Sequence, residues 1–383
     1  MRPFTFNTTP SIRMGAGLLD ELGGIAKTLC GDRVLLVTDP GMMTTGIVDR
    51  ALDCLRKAGV SVTVFSDVQA DPPEAVIHAA TQAAAGTGGV IGIGGGSSID
   101  VAKLVALLAK GGQALADVYG VGMAKGPRLP LIAVPTTAGT GSEVTPISIV
   151  TTGASEKMGV VSPVIIPDLA LLDPDLTRDL PPHVTAATGV DAMVHAIEAF
   201  ASASPNNNAI SRALACEALR LMGPALERAV HQPHDMDARA DMLLGSLLAG
   251  QAFANSPVAA VHALAYPVGG HFKVPHGLSN ALVLPHVMRF NAETAPEPYA
   301  ALAPIAFPAL AGLEVPQAAL AFADELAALS LRCGLPSGLS GVGISESDLP
   351  LLARDAMNQS RLLVNNPREV TEADALAIYG AAL

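Results

Sequence analysis

Along the first part of the chain, short fully apolar runs alternate with Ala-rich stretches whose apolar positions recur every three to four residues. The runs at 34–38, 89–94 and 129–134 read as strands because nearly every position is apolar or small, and Val60 to Phe65, where Ser61 and Thr63 alternate with apolar residues, reads as another. Helical spacing fills the intervals 47–58, 73–85 and 98–109. Strand and helix in alternation predict a parallel sheet covered on both faces. From about residue 181 the strand signal fades. Helical periodicity then runs through 185–200, 207–229, 236–266, 275–288, 297–311, 316–333 and 346–356, with Pro and Gly between the segments. The Pro-punctuated stretch Asp-Pro-Asp-Leu-Thr-Arg-Asp-Leu-Pro-Pro separates the two patterns, so an α/β domain over 1–178 and an all-helical domain over 179–383 are expected.

Composition narrows the function classes. A chain of 383 residues, half of them apolar and 15% charged, can bury two cores and does not resemble a disordered protein. Its net charge of −12 speaks against nucleic acid or an anionic membrane surface as partner, since both require a basic face. Cys30, Cys54, Cys216 and Cys333 form no Cys-x-x-Cys pair, which removes cysteine zinc sites and dithiol redox motifs from consideration. The N-terminus carries no apolar signal region. The uncharged stretch 246–272 contains Gln251, Asn255, Ser256, Pro257, His262 and Pro267, too polar for lipid and better suited to a buried helix pair around a site. A cytoplasmic protein is expected, and the Ala-rich, weakly charged surface suggests a homo-oligomer, a dimer or larger.

Three places in the first half suit a nucleotide. Gly94-Gly95-Gly96-Ser97-Ser98 lies where a strand gives way to a helix, so its backbone can approach an anion closely, and Ser97 or Ser98 is expected to cap the helix whose amides face a phosphate. The order departs from Gly-x-Gly-x-x-Gly, and a tight turn requiring glycine is the competing explanation. Asp39 ends the first clear strand, where a carboxylate can accept ribose hydroxyls and repel a 2′-phosphate, or else simply open an Asp-Pro-Gly turn. The segment Pro135-Thr136-Thr137-Ala138-Gly139-Thr140-Gly141-Ser142-Glu143 is poor core material but suits the lining of a cofactor cleft, with Glu143 a structural partner.

The second half carries candidate metal ligands. Asp191 and His195 are one helical turn apart and project from one helix face. His262 and His276 flank a glycine-containing segment much further along. Three imidazoles and a carboxylate suit a borderline transition metal rather than calcium or magnesium, and such a cation acts as a Lewis acid on a substrate oxygen. A lone histidine in an apolar helix is, however, more often a hydrogen-bonded core residue.

Taken together, Gly-Gly-Gly-Ser-x-x-Asp-x-x-Lys, Pro-Thr-Thr-Ala-Gly-Thr-Gly-Ser-Glu and the Asp…His…His…His set resemble the iron-containing (group III) alcohol dehydrogenase family, whose members include lactaldehyde reductases and propanediol dehydrogenases. The resemblance extends over nearly the whole chain. It implies a Rossmann-like N-terminal domain and a helical C-terminal domain in the two-domain plan of dehydroquinate synthase, with the metal in a cleft between them. It also implies Asp191, His195, His262 and His276 as metal ligands, and Gly95, Gly96 and Ser97 as part of the pyrophosphate loop. Thr136, Thr137 and Thr140 would lie near the nicotinamide half, Lys157 near its ribose, and Asp39 would select NAD. Where many members place a further histidine four residues after the equivalent of His262, this chain has Tyr266. Either that phenol relays a proton, or nearby His271 does, or protons reach water by another route; read alone, His271 is a partly exposed helix-end residue.

The activity implied is hydride transfer between a small primary alcohol or diol, held as its alkoxide, and nicotinamide, with Fe2+ as metal; the ligands alone do not exclude Zn2+. A maleylacetate-reductase-like enzyme working without metal is one alternative, against which the intact ligand set counts. A zinc lyase of the dehydroquinate-synthase type is another, but few basic residues surround the ligand segments.

Overall fold

The computed structural model describes residues 3–153 and 156–383. Two compact units are present, Asn7–Arg178 and Asp179–Leu383, the second also taking in the chain up to Phe6. Residues 3–6 therefore belong with the helices, not with the sheet that follows them in sequence. Thr5 explains why: its N–H donates to Asn206 Oδ1 and its carbonyl accepts from Asn206 Nδ2, both at 2.9 Å.

Among its described residues the first unit has nine strands: β1 Ser11–Met14, β2 Arg33–Val37, β3 Ser61–Phe65, β4 Gly89–Gly94, β5 Gly120–Val121, β6 Leu131–Pro135, β7 Ile147–Thr152, β8 Glu156–Val161 and β9 Leu169–Leu172. Six form a sheet in the order β1-β9-β6-β4-β2-β3, with every pair parallel. The helices are α1 Leu22–Cys30, α2 Ile47–Lys57, α3 Glu74–Ala83 and α4 Gly96–Lys110. Alternation along the strands divides the core into two layers. Leu35, Val37, Val90 and Leu131 pack with α3 and α4, whereas Val34, Leu36, Ile91, Ile93, Ile132 and Val134 pack with α1 and α2.

The four strands legible in the sequence are β2, β3, β4 and β6. β1 escaped because its residues are largely exposed, and β9 because four residues give little pattern. β5, β7 and β8 form a separate three-stranded sheet with an antiparallel β7–β8 pair. Strand order reverses between β2 and β4. Ligands of open parallel sheets bind at the carboxyl ends of strands beside such a reversal.

The second unit is helical, with α5 Pro182–Ala201, α6 Ala209–His231, α7 Met236–Asn255, α8 Ala260–Phe272, α9 His276–Ala292, α10 Glu297–Ala306, α11 Val315–Arg332, α12 Leu349–Ala356, α13 Ser360–Leu363 and α14 Glu372–Ala382. α5 is buried on all sides along most of its length, as a central helix must be. The periodic stretch 236–266 divides into two helices, in keeping with the buried helix pair expected over 246–272. Pro257 lacks an N–H and disfavours helical backbone at Ser256, which adopts an extended conformation. Side chains take up the carbonyls at the break: Asn206 Nδ2 donates to that of Asn255 at 2.7 Å, and Ser202 Oγ to that of Pro257 at 2.7 Å. That interruption lets α8 leave in a new direction with His262 in its first turn.

Candidate metal centre and nucleotide loop

In the helical unit, α5 carries Asp191, His195 and Glu198 at positions i, i+4 and i+7, all buried on one face. α8 contributes His262, and α9 begins at His276. Asp191, His195 and His262 each offer a donor atom, and these atoms all lie within 4.8 Å of one another. His195 stacks on Phe253 of α7, with ring centroids 4.3 Å apart, and on His262 at 4.8 Å. His276 stands beside them, its Nε2 3.8 Å from Asp191 Oδ1 and its ring 5.4 Å from that of His262. A glycine makes this approach possible: a Cβ on Gly277 would stand 2.5 Å from the carbonyl oxygen of Ala187, so no larger residue lets the start of α9 come so near α5.

The polar groups behind these donors hold them in place. Asn280, one turn after His276, donates to Asp191 Oδ1 at 2.6 Å, with the same nitrogen 3.2 Å from His276 Nε2. Glu198 Oε2 lies 2.6 Å from His262 Nδ1. Burial alone would raise the Asp191 carboxyl, but the imidazoles of His195, His276 and His262 and the Asn280 amide outweigh it and hold the group below the usual carboxylate range. One atom tests whether a metal fits. His262 Nε2 is buried with no hydrogen-bond partner among the described residues, although an unsatisfied buried polar atom is costly. It adjoins a carboxylate and two more imidazoles, and a divalent transition metal satisfies that donor set.

Tyr266, one turn after His262 on α8, has its ring 5.8 Å from that of His276. Burial raises its phenol, an effect only partly offset by Arg361, so the hydroxyl keeps its proton at neutral pH. His271 lies at the far end of α8, where its Nε2 is 3.0 Å from Asp355 Oδ2.

In the sheet unit, the nucleotide candidates cluster at the carboxyl ends of β2, β4 and β6, beside the reversal of strand order. The glycines have separate reasons to be there. Gly94 has φ 144°, and a Cβ on it would meet the Ser98 hydroxyl at 2.7 Å and Asp39 Oδ2 at 3.0 Å. A Cβ on Gly96 would stand 2.8 Å from the Thr140 methyl, and the nearest atoms to one on Gly95 belong to Thr137. The expected serine cap is absent: α4 starts at Gly96 with Gly95 as N-cap and no side-chain cap bond. The hydroxyl of Ser98 is instead donated to Asp39 Oδ2 at 3.1 Å, which ties the first strand end to the glycine turn. Asp39 also accepts the N–H of Met42 through Oδ1 at 3.1 Å, so it both opens a turn and faces the loop. Thr136 is buried, with its hydroxyl 3.4 Å from Met42 Sδ.

Beneath this loop lies a buried polar knot. Lys103 Nζ donates to Ser142 Oγ at 2.8 Å, Thr145 Oγ1 at 3.1 Å and the Ile147 carbonyl at 2.7 Å. Ser142 in turn donates to Asp100. Burial lowers the Lys103 amine and raises the neighbouring Glu143 carboxyl to about 7, with Lys103 offsetting part of the latter. Lys157, in the small sheet, is engaged by Asp71 at 2.7 Å and donates to Thr151 at 3.0 Å.

Residues 9–174 match the Iron-containing alcohol dehydrogenase family, and residues 185–383 match the Fe-containing alcohol dehydrogenase family, C-terminal. The chain belongs to the iron-containing alcohol dehydrogenase family. Among its relatives is Long-chain-alcohol dehydrogenase 1 of Geobacillus thermodenitrificans, 42% identical, with 97% of this chain and 95% of that protein aligned. NAD-dependent methanol dehydrogenase of Bacillus methanolicus is 34% identical, with 99% of each aligned. A crystal structure of 1,3-propanediol oxidoreductase superposes with a TM-score of 0.94 at 34% identity, covering 100% of both chains. As an iron-containing alcohol dehydrogenase, the chain is a metal-dependent, NAD-linked oxidoreductase acting between alcohols and aldehydes, with a candidate metal site at Asp191, His195 and His262. The reductase without metal and the zinc lyase are not favoured. Among the described residues no helix is long and apolar enough to cross a membrane.

Four contributors to the metal centre were not singled out from the sequence. Glu198 was findable, because it extends the Asp191–His195 spacing by another turn of the same face. Asn280 likewise follows His276 by one turn. Phe253 and Gly277 carry no such signal, since their contributions depend on how α7 and α9 pack against α5.

Proposed function

We propose that this chain oxidises small primary alcohols or diols, and reduces the corresponding aldehydes, with Asp191, His195, His262 and His276 as ligands of one Fe2+. The buried, unpartnered Nε2 of His262 carries this assignment. When bound, the cation supplies a Lewis acid for the substrate oxygen, while nicotinamide supplies the hydride acceptor or donor. Asp191 brings the negative charge that favours a cation, and Asn280 fixes the carboxylate. His195 is held flat by Phe253.

In the sheet unit, Gly94, Gly95, Gly96, Ser97 and Ser98 are the proposed pyrophosphate loop, supported by the uncapped start of α4, where the helix dipole favours an anion. Asp39, fixed by Ser98, is the proposed selector of NAD. Thr136, Thr137 and Thr140 line the nucleotide on the β6 side, and Lys157 is assigned to the nicotinamide ribose. Tyr266 is the better proton donor of the two candidates: it adjoins His276, whereas His271 is engaged by Asp355. We further propose a cytoplasmic homodimer. A direct test follows NADH formation with a panel of short alcohols and diols, before and after chelation. Turnover that needs added Fe2+ is expected, and turnover indifferent to thorough chelation would count against the ligand assignment.

A further inference from the structure

We propose that Glu198 is a positioning residue for the metal centre, fixing His262 in the one tautomer that leaves Nε2 free to bind a cation. The proposal rests on the metal assignment made above. Imidazole has two nitrogens, and in its neutral form one bears the proton while the other offers a lone pair. Glu198 Oε2 lies 2.6 Å from Nδ1 of His262, and a carboxylate can only accept there, so the proton belongs on Nδ1. The lone pair then belongs to Nε2, the atom that is buried without a partner and faces Asp191 at 3.9 Å.

The carboxylate has little freedom to do otherwise. Glu198 and His262 are 5% and 3% exposed, so water does not compete for either group. The second oxygen, Oε1, accepts the N–H of Val261 at 2.7 Å, an amide in the first turn of α8 with no partner within its own helix. One side chain on α5 thus holds both the start of α8 and the ring that α8 presents. The geometry is that of a carboxylate–histidine–metal relay, in which the outer carboxylate orients the ring and strengthens it as a ligand. Asp191, His195 and Glu198 on one face of α5 then divide the labour, with two offering donor atoms and the third aligning a donor from another helix.

Glu198→Gln separates this role from simple packing. The amide has the same size, and its oxygen can still accept from Val261. Its nitrogen, however, would donate to Nδ1 and push the imidazole proton onto Nε2. Two readouts are compared in full-length protein stripped of metal. One is the tautomer of His262, from long-range 1H–15N correlations in histidine-labelled protein. The other is Co2+ affinity by calorimetry, with the visible Co2+ spectrum reporting ligand geometry.

The expected result is an Nδ1–H tautomer in the parent protein and an Nε2–H tautomer in E198Q, with Co2+ affinity lowered roughly 10- to 100-fold. An Nε2–H tautomer in the parent overturns the proposal without needing any variant to fold. So does an E198Q protein that binds Co2+ within about threefold of the parent with an unchanged spectrum, and in that case the metal assignment survives. A parent protein that binds no Co2+ overturns both.

Discussion

Replacing Gly277 by alanine tests whether packing, rather than ligand identity alone, assembles the metal centre. The new Cβ would stand 2.5 Å from the Ala187 carbonyl oxygen, whereas ordinary contact begins near 3.4 Å, so the start of α9 must withdraw by about the difference, 0.9 Å. His276 is the neighbouring residue and moves with it. Metal–ligand distances tolerate only about 0.2 Å, so His276 cannot keep a bond that the other donors also keep. Overpacking of this kind costs about 1–3 kcal/mol of stability, which a two-unit protein can absorb while staying folded. The expected phenotype is therefore specific: metal affinity down by roughly 10- to 100-fold, dehydrogenase activity down in parallel at limiting metal, and NADH binding unchanged. Calorimetric titration with Co2+ or Zn2+, beside NADH fluorescence, measures both. A G277A protein that binds metal as tightly as the parent would refute the idea that this contact sets the position of His276.

Other perturbations have equally definite outcomes. His262→Ala should abolish metal binding and alcohol oxidation together while leaving NAD affinity intact; metal analysis and a cofactor titration on one preparation check it. Asp39→Gly should raise the kcat/KM ratio for NADP over NAD, since it removes the carboxylate that would repel a 2′-phosphate, and an unchanged ratio would discount Asp39 as selector. Glu143 gives a pH dependence. Burial raises its carboxyl from 4.5 to about 7, so the folded state holds a proton that the unfolded state releases between those values. Its contribution is most favourable below pH 4.5 and is lost as pH rises towards 7. Glu143→Gln should therefore remove a loss of up to about 3 kcal/mol in urea-unfolding free energy measured across that window. Identical pH slopes in parent and variant would contradict this.

The sequence disclosed most where the chain speaks in local patterns. The strands β2, β4 and β6 are almost wholly apolar because both their faces are buried, whereas the edge strand β3 alternates polar and apolar residues, and both patterns are visible without a structure. Asp191 and His195 are legible because one helical turn separates them. What stayed hidden depends on tertiary approach. Ser97 or Ser98 reads as the cap of α4 because serine often caps helices, but the N-cap is Gly95, and Asp39 offers the Ser98 hydroxyl a charged acceptor from another strand end. Glu198 reads locally as one more residue of an Ala-rich helix until α8 is packed against it, and Gly277 explains itself only once α5 is in contact.

The central claim is that residues from α5, α8 and α9 hold one cation through imidazole and carboxylate. Metal analysis of freshly purified protein combined with X-ray absorption at the metal edge tests it most directly. One iron per chain is predicted, ligated by nitrogen and oxygen with an imidazole signature that disappears in H262A. A fully active protein free of metal, or a bound metal whose spectrum is unaltered by loss of His262, would contradict it.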